Sequence, residues 1–347
     1  MTLRVGIARD NRFLEHKTGH FHPEHPKRLD TVYRMIDRDF KDRLIPVTPE
    51  PATMEQMERI HTPAYIKRVL KTAEQRITSL APDTPISAES CFTAWLAAGA
   101  CVKGIDSLMD LDCDAFFALV RPPGHHALPD RASGFCLFNN IAIAAQYALD
   151  RHQLRRILVI DWDIHHGNGI HDIFYDRQDV LYFSTHDPML FPYSGALEET
   201  GGDNARGYTV NVPIPRELTD SDMICLYREL LRPLIKGYQP QLIMVAAGFD
   251  AHIDDPIGRG RLTETTYGGI TRLLMDASKT LADQPPLFFA LEGGYHQRAL
   301  ADSIRAVLTE LISDPAPEPP EISPGPEVLD LVAAVRSVHA SYGVFND

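Results

Sequence analysis

The sequence predicts an α/β fold in which helices cover both faces of a mainly parallel sheet. The first observation is the alternation, from residue 115 onwards, of short apolar runs with longer segments of helical periodicity, an order typical of parallel sheets. The second is the run at residues 157–160, four branched or leucyl residues in succession, as expected for a strand buried on both faces. No internal repeat and no change of composition marks a second domain.

The first third of the chain combines one strand with several helices around a loop at residues 16–26. This loop holds four histidines and two prolines, and its stiffness favours packing or a position at the rim of a site over metal binding. The helix at 88–109 has apolar residues at three- and four-residue spacing, so we expect one face in the core. Ser87 is a suitable N-cap for it. The other predicted elements are a strand at 3–7, helices at 29–40 and 54–73 (the latter interrupted near Pro63), and a turn at 81–85.

The remainder of the chain supplies the alternating pattern. The run at 208–212 alternates apolar and polar residues and is followed by Pro213 and Pro215, which places it nearer an edge of the sheet. A proline-rich connector at 315–326 precedes a last amphipathic helix at 327–341. The other predicted strands are at 115–120, 157–160, 180–184, 242–247 and 287–291, and the other helices at 141–149, 169–175, 221–235 and 267–281.

Composition indicates an ordinary globular chain. Of its 347 residues, 44% are hydrophobic and 23% charged, the usual balance for a soluble domain. No apolar run approaches the ~20 residues of a membrane span, and the N-terminus turns polar too quickly for a secretory signal. The five cysteines are scattered without any C-x-x-C spacing, so we expect a reducing, cytoplasmic location rather than a disulfide framework.

The formal net charge of −13 restricts the expected partners. It argues against tight binding to a nucleic-acid backbone and weakly favours a cationic substrate. We therefore expect neither nucleic acid nor membrane among the partners. The sequence leaves the oligomeric state open.

The stretch after the strand at 157–160 carries the densest group of ionisable side chains. In an extended backbone residues two apart share a side, so Asp161, Asp163 and His165 are expected to point the same way. Three such groups at the end of a buried strand are costly unless a divalent metal compensates them. Asp and His together suit zinc, and manganese or iron would also accept them. The alternative is a solvated loop with helix-capping aspartates.

Polar groups also follow three further predicted strands. Ligands of open α/β sheets bind beyond the carboxyl ends of the strands, so these groups are expected to converge. Together they match the needs of metal-assisted amide hydrolysis: a Lewis acid, a base for water, an acid for the leaving amine and an oxyanion donor. Histidine suits the acid–base steps, and a phenol suits the oxyanion. The three segments are 121–126 with adjacent histidines, 248–256 with three carboxylates that offer a third metal ligand, and 292–296 with Tyr295.

Read together, the motifs of the chain are more specific than any one of them alone. They are Arg121-Pro-Pro-Gly-His-His126, Gly134-Phe-Cys136 with Asn139-Asn140, Asp161-Trp-Asp-Ile-His-His-Gly-Asn168, Gly248-Phe-Asp-Ala-His252 with Asp254-Asp255-Pro256, Glu292-Gly-Gly-Tyr295, and the early His22-Pro-Glu24, Pro26 and Arg28. These motifs resemble those of the histone deacetylase superfamily over about residues 1–312. Asn168, where class I enzymes carry Asp, and the Pro-Pro before Gly124 make the chain similar to the class II branch and to bacterial deacetylase-like amidohydrolases.

The resemblance implies a fold and a catalytic centre. The fold is the three-layer arginase/deacetylase fold, with an eight-stranded, mainly parallel sheet, a catalytic domain at 1–313, and residues 314–347 packed on the same domain. The implied cofactor is one zinc ion per chain, bound by Asp163, His165 and Asp255.

The resemblance also implies the acid–base groups. His126 matches the general base that later acts as general acid, and His125 matches its electrostatic partner, to which Asp161 would hydrogen-bond. Asn168 would orient His126, and because it is uncharged it should raise the pKa of that imidazole less than Asp would. Tyr295 matches the oxyanion donor. The remaining imidazole of the motif, His166, is expected to point to the other face as a structural neighbour.

Aromatic residues match the walls of an acyl-lysine tunnel. They are Phe135 and Phe191, with Gly134 beside them, and an aromatic slot suits a methylene chain that ends in an amide. Core packing is the alternative for either phenylalanine. Asp83 is a further candidate for contact with substrate. The implied substrates are an acylated lysine in a peptide or protein, or a small acylated amine.

Two structural sites for K⁺ or Na⁺ are implied as well. The inner site uses backbone carbonyls together with Ser184 and Thr185, and the outer site lies nearer the surface. The matching residues are Asp161, Asp163, His165, Ser184 and Thr185 for the inner site, and Phe174, Arg177, Val180 and Tyr208 for the outer one.

Three other functions compete with a lysine deacylase. The segment Asp250-Ala251-His252-Ile253-Asp254 resembles the signature of arginase-like ureohydrolases, which use two manganese ions, although the paired histidines leave little room for a second metal. An acetylpolyamine amidohydrolase would differ mainly in the loops at the entrance. A catalytically inactive acyl-lysine-binding protein would normally lack a ligand or Tyr295, and all of them are present.

Overall fold

The structure is organised around a sheet of eight parallel strands, and a separate two-stranded antiparallel hairpin lies outside it. This computed structural model describes residues 3–75, 77–313 and 324–345. In chain order the strands are β1 (Val5–Ala8), β2 (Ile45–Pro46), β3 (Ser79–Ala81), β4 (Thr84–Pro85), β5 (Ala115–Ala118), β6 (Ile157–Asp161), β7 (Val180–His186), β8 (Thr209–Pro213), β9 (Leu242–Ala247) and β10 (Leu287–Leu291). The order in the large sheet is β2-β1-β5-β10-β9-β6-β7-β8, which confirms the predicted edge position of β8.

Helices surround this sheet in two packed series. One series runs from α1 through α9 and α8 to α7, and the other joins α4 to α5 and α5 to α6. The last helix, α10, packs against α7 and β8. The helices are α1 (Lys27–Asp39), α2 (Met54–Glu58), α3 (Pro63–Lys71), α4 (Ser90–Met109), α5 (Asn140–Arg151), α6 (Asn168–Phe174), α7 (Asp220–Tyr238), α8 (Glu264–Lys279), α9 (Gln297–Ile312) and α10 (Pro326–His339), with a 3₁₀ helix at Asn11–Glu15.

The centre of the sheet is buried on both faces, as its apolar runs predict. Every residue of β5, β6, β9 and β10 is buried. On neighbouring strands the rings of Phe116 and Phe288 stack with centroids 5.8 Å apart, and those of Phe117 and Phe289 lie 5.5 Å apart. Burial of each such side chain contributes about 1.5–3 kcal/mol, so the interior of the sheet is a rigid base for the loops beyond it.

Two local predictions in the first third of the chain are wrong. Helix α4 is buried around most of its circumference rather than on one face, while Phe92 is exposed, because helix α5, strand β5 and the 3₁₀ helix all pack on α4. Ser87 is not its N-cap: Glu89 takes that position, and the Ser87 hydroxyl bonds the backbone carbonyl of Glu15. The predicted turn at 81–85 belongs to the β3–β4 hairpin, and the helical stretch at 54–73 is two helices.

The C-terminal third contains a helix that the sequence prediction omitted. Helix α9 buries apolar residues at three- and four-residue spacing, so the signal was present. His296 caps it through Nδ1, which accepts a hydrogen bond from the amide of Ala299 at 3.3 Å. The predicted connector at 315–326 lies largely outside the described residues, whereas the helix that follows it is present as α10.

The histidine- and proline-rich loop at 16–26 is anchored by a buried ion cluster. The carboxylate of Glu24 accepts hydrogen bonds from Arg28 at 3.0 Å and from Arg121, and all three side chains are almost fully buried. Burial alone would raise the pKa of Glu24, but the charge of Arg121 outweighs it and holds this pKa well below its usual range. His16 is also buried, with Nδ1 2.7 Å from the hydroxyl of Ser90. The loop therefore packs, as predicted.

Two further features concern the chain as a whole. All five cysteines are buried with free thiols, consistent with the absence of any C-x-x-C spacing. In the described ranges, none of the helices combines the length and the apolar character needed to cross a bilayer.

We expect Glu24→Ala to destabilise the fold strongly, because it leaves two buried guanidinium groups without their anion. Loss of one partner from a buried ion cluster costs about 3–5 kcal/mol, so the midpoint of urea unfolding should fall markedly. The control is Glu15→Ala, which removes an exposed carboxylate 2.9 Å from Lys17 and should change stability by no more than about 1 kcal/mol. Equal losses in the two variants would contradict this account.

Candidate active site

Four strands that are neighbours in the sheet end at one place. Strands β5, β10, β9 and β6 are adjacent and parallel, and Ile157 to Asp161 pair in register with Leu242 to Ala246. The segments that follow them carry the two histidines at 125–126, the cluster at 161–168, Asp250 and Tyr295. The convergence predicted from the order of strands is therefore present.

A buried group of three side chains has the geometry of a metal site. The Nδ1 of His165 lies 3.0 Å from an oxygen of Asp163 and 3.0 Å from an oxygen of Asp250. Ligand atoms from all three lie within 4.8 Å of one another. Burial, together with the charge of Asp163, raises the pKa of Asp250 to about 7. A divalent cation would relieve this repulsion, and the oxygen and nitrogen donors suit zinc.

Asp255, the third ligand expected from the sequence, lies outside this group of three, and its role as a ligand stays a prediction. Asp250 lies three residues beyond the end of β9, whereas Asp255 lies eight residues beyond. The carboxylate of Asp255 faces backbone amides. It accepts hydrogen bonds from the amides of Ile257, Gly258, Tyr295 and His296.

The two adjacent histidines contact each other and have different partners. Their rings lie 3.9 Å apart between centroids. His125 Nδ1 is 3.1 Å from a carboxylate oxygen of Asp161, and His126 Nδ1 is 2.8 Å from Oδ1 of Asn168. Because an amide oxygen only accepts, His126 must donate from Nδ1, which leaves Nε2 free to accept a proton.

The surroundings shift the pKa values of the two imidazoles in opposite directions. Burial alone would lower the pKa of His125, but the carboxylates of Asp161 and Asp163 outweigh it and raise this pKa to about 10. Burial lowers the pKa of His126 well below its usual value, and the neighbouring His125 and His165 lower it further. At neutral pH the pair therefore contains one cationic imidazole and one neutral imidazole.

The predicted tunnel residues lie beside these groups. The ring of Phe191 is 5.1 Å from that of His126, and the ring of Phe135 is 5.8 Å from that of Tyr295. Gly134 has φ +55°, and a Cβ there would lie 2.2 Å from the His126 ring, so only glycine allows this close approach. The amide of Gly134 donates to Asp83 at 3.1 Å. The roles of the two phenylalanines as tunnel walls stay predictions.

A cation covers the ring of Tyr295. The guanidinium carbon of Arg28 lies 4.9 Å from the ring centre. The same side chain donates to the carbonyl oxygens of Gly294, at 2.6 Å, and Glu292. Burial raises the pKa of Tyr295 well above its usual value, so the phenol remains protonated and able to donate.

Glu292 holds the turn that carries the two histidines, a contact that the motif alone did not predict. Its Oε2 accepts hydrogen bonds from the amides of Gly124, at 2.6 Å, and His125, at 3.0 Å. These contacts fix the turn that presents the two histidines. Its position at the end of β10 was the available signal, but a partner 167 residues away cannot be read from a single sequence.

His166 points away from the metal group, as expected of a structural neighbour. Its Nδ1 lies 2.8 Å from the hydroxyl of Ser194, and its ring packs against those of His171 and His186. This places it on the face of the strand opposite His165.

Comparisons with known proteins give the family and the fold. The family model of the histone deacetylase domain matches residues 22–311. This chain belongs to the histone deacetylase family. The crystal structure of the HDA15 HD domain superposes with a TM-score of 0.91 at 31% identity, covering 98% of this chain and 97% of that one. The predicted arginase/deacetylase fold is thereby confirmed.

Three curated members of the histone deacetylase family illustrate its range. A histone deacetylase-like amidohydrolase from Pseudomonas aeruginosa is 38% identical over 294 residues, 84% of this chain and 77% of that protein. A probable deacetylase from Archaeoglobus fulgidus is 34% identical, with coverages of 84% and 81%. The human polyamine deacetylase HDAC10 is 34% identical over 335 residues, 92% of this chain and 49% of that protein.

The residues assigned by the resemblance to the deacetylase cation sites lie on or beside strands β6, β7 and β8. At the inner site, Asp161 pairs with Ser184 in the β6–β7 register, and the Ser184 hydroxyl is 2.9 Å from His186 Nδ1. At the outer site, the carbonyls of Phe174 and Tyr208 already accept amide hydrogen bonds from Arg177 and Tyr182. The remaining residues of the two sites are close in sequence to those just named: Thr185, Asp163 and His165 at the inner site and Val180 at the outer site. Both cation sites stay predictions.

We expect Asp163→Asn to weaken zinc binding by this deacetylase-family chain, because it replaces an anionic group of the proposed metal site with a neutral amide. The loss should exceed the roughly 10–100-fold cost of removing an outer-shell partner, and it is measured by competition with a chelating dye and by metal content after dialysis. The control is Asp254→Asn, which changes an exposed carboxylate in the loop after β9. Equal zinc affinity in Asp163→Asn and wild type would contradict the predicted role of Asp163.

Proposed function

We propose that this chain is a zinc-dependent amidohydrolase that removes acetyl or other acyl groups from acylated lysine side chains, with residues 1–313 as its catalytic domain. The observation that carries the proposal is the position of a neutral imidazole, His126, between the Asp163–His165–Asp250 group and an aromatic ring. A candidate base, a candidate metal site and an apolar ring are therefore adjacent.

The metal would be held by Asp163 and His165, with Asp255 as the third ligand expected from the resemblance and Asp250 in contact with His165. When bound there, zinc supplies Lewis-acid polarisation of the amide carbonyl and lowers the pKa of a water molecule. The glycine-lined wall of the group supports this fit, since a Cβ at Gly293 would lie 2.1 Å from Asp250.

The histidine pair supplies the proton transfers. The free Nε2 of His126 takes a proton from the attacking water and later gives it to the leaving amine nitrogen. Asn168 keeps the imidazole in the required tautomer. His125 remains protonated against Asp161 and contributes a fixed positive charge beside the developing negative charge.

The phenol of Tyr295 completes the centre as the donor to the oxyanion. Pre-organised donors stabilise the charge that develops at the carbonyl oxygen. The raised pKa of Tyr295 keeps its proton available for this hydrogen bond, and the guanidinium of Arg28 over the ring adds positive potential on the same side.

The substrate is inferred from the aromatic walls. Phe135 and Phe191 offer faces for the methylene chain of an acylated lysine, ahead of the amide that reacts. The relationship to a bacterial histone deacetylase-like amidohydrolase supports this class. One K⁺ or Na⁺ at the inner site, near Ser184, would stabilise the carbonyls beneath the zinc ligands.

A second candidate is hydrolysis of acetylpolyamines. It is supported by similarity to the human polyamine deacetylase and by the net charge of −13, which favours a cationic substrate. A two-metal ureohydrolase is not supported, because the described residues contain a single metal-compatible group. An inactive binding protein is disfavoured because the metal group, the histidine pair and the tyrosine are all in place.

Tyr295→Phe should lower kcat by about 10²–10³-fold while zinc content stays at one per chain, because it removes one oxyanion donor and no ligand. The assay follows acetate release from an acetyl-lysine peptide, with the zinc content of each preparation measured in parallel. A variant with wild-type kcat would remove Tyr295 from the mechanism.

A panel of acyl-lysine peptides and acetylpolyamines should separate the two substrate classes. We expect higher kcat/KM for the peptides, since the tunnel walls match a lysine side chain. Tyr295→Phe serves as the background control for contaminating hydrolases. Turnover of acetylpolyamines without turnover of any peptide would replace the preferred function by the second one.

A further inference from the structure

His166 is a buried imidazole of the metal-site motif that the proposed mechanism does not use. It follows His165 directly in the chain and is 1% exposed. Its Nδ1 lies 2.8 Å from the hydroxyl of Ser194, and its ring centre is 4.6 Å from that of His186. Ser194 belongs to the loop at 187–199, which follows β7, so the contact joins the metal-site segment to a second loop of the same sheet edge.

His186, at the end of β7, holds the same loop through a second hydrogen bond. Burial lowers the pKa of His186 to about 4, so the ring is neutral. Its Nε2 donates to the carbonyl oxygen of Gly195 at 2.9 Å, because a carbonyl only accepts. Its Nδ1 then accepts from the hydroxyl of Ser184 at 2.9 Å. Both ring nitrogens of His186 are therefore used, and one of them fixes the loop.

The loop lies directly against both imidazoles at Gly195. This residue has φ +84°, in the left-handed region that favours glycine. A Cβ there would lie 2.5 Å from Nε2 of His186 and 2.7 Å from Cδ2 of His166. No side chain fits between the loop and the two rings, so these rings set the position of the loop.

The same loop carries Phe191, whose ring lies 5.1 Å from that of His126. The start of the loop is attached separately, because the amide of Asp187 donates to the carbonyl oxygen of Ile164 at 2.9 Å. The second attachment, at Ser194, lies three residues beyond the phenylalanine. Phe191 therefore lies between two attachments to the short segment that also carries the metal-site residues.

We propose that His166 is a positioning residue that, together with His186, sets the position of Phe191 in the wall of the acyl-lysine tunnel. The proposal rests on the proposed function, in which Phe191 lines the path of the lysine side chain. An aromatic wall attracts a methylene chain only in close contact, since a gap of about 0.5–1 Å already forfeits a quarter to a half of the dispersion energy. Release of the loop should therefore weaken substrate binding and leave the proton transfers and the metal site intact.

The first experiment compares Ser194→Ala with Ser194→Thr, which keeps the hydroxyl at this half-buried position. Zinc per chain, kcat and KM on an acetyl-lysine peptide, and hydrogen–deuterium exchange of peptides covering 187–199 are measured. Loss of one hydrogen bond should raise KM about 3–10-fold in Ser194→Ala with kcat within about twofold of wild type. Zinc content should not change, exchange in the loop should be faster, and Ser194→Thr should restore KM and exchange. The control Ser221→Ala, which removes a hydroxyl at the start of α7, should match wild type throughout.

The second experiment displaces the loop from the rings by a steric clash. Gly195→Ala places a methyl group against His166 and His186, so KM should rise more than in Ser194→Ala. Gly19→Ala is the matched control, because Gly19 also has a positive φ, +105°, while a Cβ there meets no atom within 4 Å. Equal KM values in the two glycine variants would show that backbone strain, and not the clash with the rings, is responsible, and would overturn the proposal.

A double variant tests whether the effect passes through the phenylalanine. If the histidines act by positioning Phe191, adding Ser194→Ala to Phe191→Ala should raise KM little further, because the positioned ring is already gone. Independent, multiplicative increases in KM would contradict the proposal.

Three other results bear on the proposal. Unchanged KM and unchanged exchange in Ser194→Ala would show that His166 does not hold the loop, and loss of zinc or of kcat at unchanged KM would place its role at the metal site; both overturn the proposal. If Gly195→Ala does not fold, the Ser194 variants decide. A wild-type chain without amidase activity would end the proposed function, whereas exchange of the loop in wild type, Ser194→Ala and Ser194→Thr would still decide whether His166 holds it.

Discussion

Strands β5, β10, β9 and β6 are parallel neighbours, so the four loops that follow them begin at the same edge of the sheet. The position of every charged group of the site depends on the register of these strands. A shift of one residue in any of these strands would turn its side chains to the other face. The rigid, doubly buried interior, with its stacked phenylalanines, resists such a shift. The sheet therefore sets the positions of the site residues, because the loops that carry them are anchored to its strands.

Because these four loops are shielded from water, each charged side chain in this region requires a partner. Asp161 faces a cationic His125, Glu24 faces two guanidinium groups, and Asp255 faces four amides. The exception is the group of Asp163 and Asp250, whose negative charge exceeds what His165 compensates. An excess of buried negative charge indicates a cation site more directly than the identity of any one residue does.

Much of this organisation was readable from the sequence. Continuous apolar runs identified the central strands, and the residues after them identified the histidine pair, Asp163, His165 and Tyr295. The contact of Asp250 with His165 was not readable, because only the path of the loop after β9 brings this carboxylate back to the sheet edge. The start of α4 after Glu89, which makes no side-chain capping hydrogen bond, was hidden for a similar reason, since the Ser87 hydroxyl bonds the distant carbonyl of Glu15. Helix α9 was omitted although its periodicity is clear.

The contact between Arg28 and the end of β10 joins residues 264 positions apart. At synthesis rates of about 5–20 residues per second, Arg28 leaves the ribosome roughly 13–53 s before its carbonyl partner exists. Through that interval Arg28 lacks the carbonyl partners at Glu292 and Gly294. The nascent chain thus fixes its tyrosine-bearing turn only when helix α1 contacts the segment that follows β10.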